Sequence, residues 1–179
     1  MARLFFALWP DGDAGSELAA HAQRLARSTG GRAVPAANVH LTLVFLGEVE
    51  PSRIDAILRA AGEVRSSRFR VAPDEIGSFR RSAVAWAGFR QPPAELLGLQ
   101  ANLAEKLALQ GFEREARAFA PHLTLVRRIA SPVARETIEP VPWKAKAISL
   151  VETNRARGEY ATLAEWPMRE RQDQRPADG

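Results

Sequence analysis

The sequence contains no cysteine, and this absence excludes a disulfide framework, a thiol nucleophile and a zinc site built on cysteine. It also lacks any apolar run long enough to span a membrane, and the apolar stretch that follows Met1 is too short for a signal peptide. We therefore expect a cytoplasmic protein without a membrane partner. The 179 residues are enough to bury an ordinary globular core.

Lysine is scarce. The chain has 25 basic residues, of which only three are lysine, and a formal net charge of +4. Arginine suits bidentate recognition of phosphate, but it also serves as an ordinary solvated cation. The charge therefore permits an RNA partner without requiring one. In predicted loops, Arg80, Arg81, Arg155 and Arg157 are candidates for contacts with an RNA backbone and are equally consistent with plain surface.

Histidine is rare as well, and two of the three histidines lie in a phrase that the chain contains twice. The copies are His40-Leu-Thr-Leu-Val44 and His122-Leu-Thr-Leu-Val126, 82 positions apart. Each is aliphatic and β-branched with no Gly or Pro, which predicts a strand. Because residues i and i+2 share one face of a strand, each copy presents an imidazole beside a threonine hydroxyl, while its leucines face a core.

A single histidine on a strand is most often structural. Two identical phrases that carry so rare a residue favour instead a duplicated unit whose equivalent strands act together. Two imidazoles that meet across a cleft can act as general base and general acid near neutral pH, with Thr42 and Thr124 holding substrate oxygens. Such a set suits displacement of an alcohol at phosphorus. The third histidine, His21, is expected to be structural or solvated.

The 82-residue offset also relates other segments, which predicts an α+β fold built from two similar halves. Each half, roughly residues 3–76 and 82–153, is predicted to run strand, helix, His strand, helix, strand. We expect a single bilobal domain over residues 1–167, with two pseudo-twofold-related lobes of antiparallel sheet, flanking helices and a central groove. Residues 168–179 are expected to form a flexible tail.

Turn residues and apolar periodicity give the boundaries of the predicted elements. Besides the two His strands, the predicted strands are 3–9, 69–76, 82–89, 143–153 and 158–164. The predicted helices are 16–28, 51–64, 94–110 and a short one at 133–138. Residues 77–81 are predicted to form a loop.

With these motifs in place, the sequence resembles the 2H phosphoesterase superfamily, which is defined by two His-x-Thr/Ser motifs. Within it the chain is similar to the bacterial and archaeal RNA 2′,3′-cyclic phosphodiesterases, also described as 2′-5′ RNA ligases. The resemblance spans roughly residues 3–167. Beyond the His strands it rests on flanking phrases, which are Arg3-Leu-Phe-Phe-Ala7, Asn38–Glu48, Phe119–Arg127, Leu150-Val-Glu-Thr153 and Gly158-Glu-Tyr160. Thr153 stands where serine is more usual.

This resemblance implies hydrolysis of an RNA-terminal 2′,3′-cyclic phosphate to a 2′-phosphomonoester, with reversible 2′-5′ joining of tRNA halves in the same site. It implies that the reaction needs neither a metal nor a cofactor. The implied partner is an RNA end, and we expect the protein to be a monomer. The resemblance assigns His40 as proton donor to the leaving 3′ oxygen and His122 as the base that activates water. The residues alone leave these two roles interchangeable. Thr42 and Thr124 would hydrogen-bond the non-bridging phosphate oxygens.

Symmetry singles out one further pair of residues. Five positions after each histidine stand Phe45 and Arg127, which a pseudo-twofold axis makes counterparts across the groove. We hypothesise that they bind the terminal base, Phe45 by stacking and Arg127 through its guanidinium face or by pairing with phosphate. A regular strand would turn both away from the histidine face, so each strand must bend after Val44 or Val126. Without that bend, Phe45 belongs to the core.

Three alternatives stay open at this point. A related enzyme could cleave 2′-5′ oligoadenylates or small cyclic phosphates with the same groups. A binding module could recognise RNA ends without turnover, although binding alone needs no matched acid and base. A metallohydrolase would need carboxylates to complete a site in which His21 is the only further histidine.

Overall fold

The computed structural model describes residues 1–154 and 159–170 of the chain. The strands within these residues are β1 (Ala2–Leu8), β2 (Arg32–Ala33), β3 (Leu41–Val49), β4 (Phe69–Val71), β5 (Glu75–Phe79), β6 (Val84–Gly88), β7 (His122–Arg127), β8 (Glu136–Thr137), β9 (Trp143–Ala145), β10 (Ala147–Asn154) and β11 (Glu159–Pro167). The helices are α1 (Gly12–Thr29), α2 (Ile54–Gly62) and α3 (Ala94–Leu109), with 3₁₀ turns at Ala36–Asn38 and Pro51–Arg53.

Most strands form one antiparallel sheet with the order β11-β10-β1-β3-β7-β6-β5-β8. At its centre β3 and β7 share a single residue pair, Leu41 with Leu123. Further along β7, β2 replaces β3 as its neighbour and pairs Arg32 with Arg127. Because one pair alone joins the two central strands, the sheet divides there into two lobes. This α+β architecture of two antiparallel lobes confirms the predicted fold class.

The two lobes do not coincide with the two halves of the sequence. Strand β5 comes from the first half but pairs with β6 of the second, and β10 comes from the second half but pairs with β1 of the first. A small second sheet pairs β4 with β9, one strand from each half. The halves thus exchange their third strands, which the sequence repeat did not indicate.

The helices cover the face of the sheet that the leucines of the His strands occupy. Leu41, Leu43, Leu123 and Leu125 are at most 2% exposed and belong to one continuous core. Helix α1 packs on β7 and helix α3 on β3, so each helix covers a His strand from the other half of the sequence. This packing leaves the opposite face, where the histidines and threonines lie, for the groove.

Three predicted elements are wrong in detail. In place of the helix predicted at 133–138, the structure has the short strand β8. The segment contains several β-branched residues, and its backbone bonds to the strand β5 and the residue before it, with Ile138 N donating to Asp74 O. Residues 77–79 continue β5 rather than starting a loop. The strand predicted at 143–153 is divided near Lys146 into β9 and β10, which join different sheets.

The packed chain also extends beyond residue 167. Met168 is 5% exposed, its amide donates to Lys146 O at 2.7 Å, and Arg169 N donates to Ser66 O at 3.0 Å. The predicted tail therefore cannot begin at residue 168. Residues 171–179, which make up the rest of it, lie outside the described residues.

Candidate active site

The two His-x-Thr segments meet at the junction between the lobes. The Leu41–Leu123 pair sets the antiparallel register. Continued by one residue in each direction, this register places His40 opposite Thr124 and Thr42 opposite His122. Side chains of directly opposed residues lie on the same side of a sheet, so all four groups face the groove. The structure therefore brings together the four residues that the sequence singled out as the catalytic set.

Both histidines are held by the same local hydrogen bond. His40 Nδ1 lies 2.7 Å from Asn38 O, and His122 Nδ1 lies 2.8 Å from Ala120 O. A carbonyl oxygen only accepts, so each Nδ1 carries the proton and donates it. In the neutral rings this leaves Nε2 as the basic nitrogen at both positions. Two equivalent nitrogens, one from each lobe, are thus available for proton transfer.

Aromatic side chains surround His40. Phe5 stacks on its ring with centroids 4.8 Å apart, Trp9 lies at 5.1 Å, and Tyr160 meets it edge-on at 5.2 Å. Burial among these rings lowers the pKa of His40 to about 4, with the bond to Asn38 O opposing the shift and the positive charges of Arg127 and His122 adding to it. His40 is therefore neutral at pH 7 in the free protein.

His122 has a more open setting than His40, and within the described residues fewer aromatic rings lie against it. The ring of Phe79 meets it edge-on with centroids 5.0 Å apart. Burial lowers the pKa of His122, while the bond to Ala120 O and the negative charge of Glu115 raise it. The two histidines are thus chemically alike but differ in their surroundings, and only His122 has a carboxylate among the groups that act on it.

Both His strands are irregular in a way that lets Phe45 and Arg127 face the groove, but the irregularity comes before Val44 and Val126 and not after them. Along β3 the pairing with β1 skips Leu43, and along β7 the pairing with β6 skips Leu125. These bulges are 82 residues apart and stand at equivalent places in the two halves. A bulge inserts one residue and so moves those after it to the other face.

As a result, Phe45 pairs with Phe5, the residue that stacks on His40. Phe45 is 49% exposed and is not a core residue. Arg127, which is exposed on the other His strand, lies close enough to His40 to lower the pKa of that histidine. A cleft of about 770 Å³ beside Phe45 extends to Glu115.

Other residues named from the sequence have more ordinary surroundings. His21 Nδ1 lies 2.5 Å from Arg24 Nη2 on the same helix. Thr153 pairs with Tyr160 in register between β10 and β11. Arg80 and Arg81 are exposed at the β5–β6 turn. Arg155 and Arg157 lie outside the described residues.

Two further observations bear on the chemistry of the groove. Over residues 1–154 and 159–170, no group of three or more His, Cys, Asp or Glu side chains is placed to hold a metal ion. In the same part of the chain, neither the Thr42 hydroxyl nor the Thr124 hydroxyl hydrogen-bonds to another protein group, so both are available to a ligand. None of the described helices is both long enough and apolar enough to cross a membrane.

Sequence reasoning missed the aromatic residues beside the histidines, namely Phe5, Trp9 and Phe79, and also Trp86, which contacts Phe79. Phe5 lies in a strand that is apolar at almost every position, so alternation could not show which residues face the groove. Phe79 lies in a segment that the sequence predicts to be a loop. Tyr160 belongs to one of the flanking phrases, and nothing in the local sequence indicates that it lies against His40.

The fold and the groove together define the class of the protein. An antiparallel α+β sheet in two lobes, with one His-x-Thr strand from each lobe at the centre, is the architecture of the 2H phosphoesterases. Solved structures agree: the apo form of E. coli LigT matches with a TM-score of 0.85 at 32% identity, and the match covers 94% of this chain and 98% of that one. LigT complexed with 3′-AMP has a TM-score of 0.81 at 32% identity, with coverage of 93% and 98%.

Sequence comparisons lead to the family. The model of the 2′-5′ RNA ligase superfamily matches residues 14–157. The RNA 2′,3′-cyclic phosphodiesterase of Escherichia coli is 37% identical over 144 residues, which cover 77% of this chain and 80% of that protein. The protein of the same name from Archaeoglobus fulgidus is 32% identical, with coverage of 70% and 72%. The chain therefore belongs to the 2′-5′ RNA ligase superfamily.

Proposed function

We propose that the protein hydrolyses RNA-terminal 2′,3′-cyclic phosphates to 2′-phosphomonoesters, without a metal, through its two groove histidines. The observation that carries this proposal is the symmetry of the site. The strand register places His40 and His122 on one face of the sheet where the lobes join, each with Nδ1 bonded to a carbonyl oxygen. A threonine hydroxyl without a protein partner among the described residues accompanies each histidine. Named relatives with RNA 2′,3′-cyclic phosphodiesterase activity support the same chemistry.

The proposed reaction is an in-line displacement at phosphorus. His122 Nε2 accepts a proton from water as the water oxygen forms a bond to phosphorus. The bond from phosphorus to the 3′ oxygen breaks, and His40 Nε2 donates a proton to that oxygen. Thr42 and Thr124 donate hydrogen bonds to the non-bridging oxygens as negative charge increases there. The product carries a 2′-phosphate and a 3′-hydroxyl, and proton exchange with solvent restores both histidines.

Substrate binding favours the uptake from solvent of the proton that His40 needs. In the free protein, burial keeps the pKa of His40 at about 4, so its neutral form predominates. A phosphodiester carries a negative charge, and an anion next to an imidazole favours the imidazolium form. The bound substrate therefore raises the pKa of the acid at the place where a proton must be delivered.

The same groups would catalyse 2′-5′ joining when the 5′-hydroxyl of a second RNA takes the place of water. The reaction is reversible, and in reverse the two histidines exchange roles. We include this activity in the proposal, with RNA ends such as those of tRNA halves as its substrates. The groove also offers binding residues for the terminal nucleotide, Phe45 and Arg127.

The test of the hydrolysis uses a short RNA that ends in a 2′,3′-cyclic phosphate, incubated in EDTA and analysed by phosphorus NMR. Wild type is expected to form the 2′-phosphate, and His40→Ala and His122→Ala to be slower by roughly 10²–10⁴-fold. His21→Ala is the matched control and is expected to retain full activity. An unchanged cyclic end with wild type, or activity in both groove variants, would contradict the proposal. Binding without turnover would indicate an RNA-end binding module.

The binding residues are tested separately. Phe45→Ala and Arg127→Ala are expected to raise KM for a dinucleotide with a cyclic phosphate, by about five- to tenfold each, because stacking on a base and pairing with phosphate are lost. Arg59→Ala, which removes an exposed arginine on α2, is the control for charge. An unchanged KM in both variants would remove Phe45 and Arg127 from the site.

A further inference from the structure

Beside His122, on the side away from His40, lies an aromatic pocket of about 200 Å³. We propose that this pocket binds the base of a second nucleoside, the one whose 5′ oxygen attacks or leaves during 2′-5′ joining and cleavage. The inference rests on the proposed function, because it requires the two histidines to act on a phosphodiester. It adds a substrate-binding site and a preference among bases.

The floor of the pocket is the indole of Trp86, which lies flat across the sheet. Two glycines make this possible: a Cβ atom at Gly77 would stand 2.6 Å from the indole, and one at Gly88 would stand 2.8 Å from it. Gly88 pairs with His122 and Gly77 pairs with Trp86, so floor and histidine share one face of the sheet. The indole Nε1 is buried, and the described residues give it no hydrogen-bond partner.

The walls combine aromatic rings with one ion pair. Phe79, Phe89 and Phe119 line the pocket. Glu75 is only 9% exposed, and its carboxylate accepts a hydrogen bond from Arg135 at 3.0 Å. Rings that can contact the faces of a heterocycle and a polar group that can read its edge are the features of a nucleobase site. The volume is below the range for drug-sized ligands, so it suits one base and no more.

The position of the pocket indicates which of the two nucleosides supplies the base that it binds. The pocket lies over β6, β5 and β8, on the side of β7 opposite to β3. His122 lies between this pocket and the phosphate position. In the proposed mechanism His122 deprotonates the nucleophile, so whatever substituent the nucleophile carries extends towards the pocket. Water has no such substituent, whereas a 5′-hydroxyl carries a nucleoside.

The joining step uses the same proton transfers and bond changes as the hydrolysis, with a 5′-hydroxyl in place of water. The 5′-hydroxyl gives its proton to His122 Nε2, a bond forms between the 5′ oxygen and phosphorus, and the bond to the 3′ oxygen breaks. His40 protonates that 3′ oxygen, and the product is a 2′-5′ phosphodiester. In the cleavage direction His40 removes the 3′ proton, and His122 protonates the leaving 5′ oxygen.

Glu75 gives the pocket a preference among bases. A carboxylate only accepts hydrogen bonds, so it favours a base edge that carries donors. Guanine presents N1–H and the N2 amino group side by side, which a carboxylate can accept together. Uracil presents one N–H between two carbonyl oxygens, so a carboxylate can accept only one hydrogen bond from this edge. We therefore expect guanosine to be the best second nucleoside and uridine the worst.

The test compares two reactions of the same protein. One is hydrolysis of a nucleoside 2′,3′-cyclic monophosphate, which uses water. The other is cleavage of the 2′-5′ dinucleotides ApG and ApU, in which the second base enters the pocket. Wild type is expected to cleave ApG with a kcat/KM at least about tenfold above that for ApU, because one paired base edge contributes roughly this much.

The variants separate the pocket from the catalytic groups. Glu75→Gln is expected to abolish the preference for ApG, and Phe119→Leu to raise KM for both dinucleotides, while hydrolysis of the cyclic monophosphate stays within about twofold of wild type. A loss of the same size in both reactions, or an unchanged preference in Glu75→Gln, would overturn the inference. Circular dichroism checks that both variants are folded.

A binding measurement distinguishes failure of the pocket from failure of the proposed function. Tryptophan fluorescence is titrated with guanosine and with uridine, using wild type and Glu75→Gln. Tighter binding of guanosine to wild type alone supports the pocket even if no cyclic phosphate is hydrolysed. Equal binding of both nucleosides to both proteins counts against the pocket even if hydrolysis is fast.

Discussion

The groove histidines combine a fixed orientation with a strongly reduced basicity. The carbonyls of Asn38 and Ala120 orient the rings, and burial lowers both pKa values. Catalysis of the proposed kind needs one imidazole protonated and the other neutral. In the free enzyme this combination is most populated between the two pKa values, whichever histidine is the acid.

The pH dependence follows from these directions. Because both pKa values lie below 6.5, raising the pH above that value leaves both rings neutral, and lowering it below the smaller pKa protonates both. We expect kcat/KM for a cyclic-phosphate substrate to pass through a maximum on the acid side of pH 6.5. A profile of initial rates from pH 4 to 9 measures this, and a maximum above pH 7 would be inconsistent with the environment of the histidines.

Glu115 provides a control for that profile. Its negative charge raises the pKa of His122, so Glu115→Gln is expected to move the maximum of kcat/KM further to acid pH. Glu113→Gln removes a neighbouring charge that does not act on either histidine and is expected to leave the profile in place. A structural role for Glu115 would change the rate without moving the profile.

Among the elements, the two bulged His strands determine where the binding residues point. Gly31 is the close neighbour of one bulge: a Cβ atom at this position would lie 2.6 Å from Val126 Cγ1 and 2.9 Å from Arg127 O. Strand β2 begins at the next residue and pairs with β7 at Arg127 and Val126. The close approach of two backbones at this point therefore requires glycine.

Gly31→Ala is expected to destabilise the protein by about 1–3 kcal/mol, because the added methyl group overlaps both the side chain and the backbone of β7. It should also raise KM for the cyclic-phosphate dinucleotide by moving Arg127. Thermal and urea unfolding measure the first effect, and steady-state kinetics the second. Gly98→Ala is the matched control, since a Cβ there meets nothing within 4 Å and Gly98 lies within α3. It should stabilise by about 0.5–1 kcal/mol.

The His strands were also the elements that the sequence predicted best. Their apolar runs and the repeated phrase indicate where the two strands lie in the chain and which side chains share a face, since period-2 alternation is a local property. The sequence requires a bend after Val44 and Val126 for Phe45 and Arg127 to reach the groove, whereas the bulges stand at Leu43 and Leu125. No residue in either strand identifies the skipped position, because a bulge depends on the neighbouring strand.

At the scale of the whole molecule, the exchange of third strands is what the sequence could not show. The repeat at 82 residues predicts two similar halves but does not say which half β5 and β10 pair with, since pairing partners are chosen by packing far along the chain. For the same reason the sequence does not indicate the aromatic residues around His40, because Phe5, Trp9 and Tyr160 come from both ends of the chain.

The exchange ties the lobes together in a way that the single Leu41–Leu123 pair does not. Each lobe takes a strand from the other half of the sequence, and α1 and α3 each cover a His strand from the other half. Neither half of the sequence can unfold without removing an inner strand from the lobe that is built mainly on the other half. The groove therefore keeps its two histidines in register although few backbone bonds cross it.

This interlocking predicts a single cooperative unfolding transition. Two variants test it, one that retains Trp86 in β6 as the only tryptophan and one that retains Trp166 in β11, with the other tryptophans replaced by phenylalanine. Within each variant, guanidinium unfolding followed by tryptophan fluorescence should share its midpoint with far-ultraviolet circular dichroism, which reports the whole chain. Lobes that unfold separately would give a fluorescence midpoint above the dichroism midpoint in one variant and below it in the other. The pocket beside His122 lies in one lobe, and the aromatic rings around His40 lie in the other. Coincident midpoints would therefore also mean that both histidine environments are lost together.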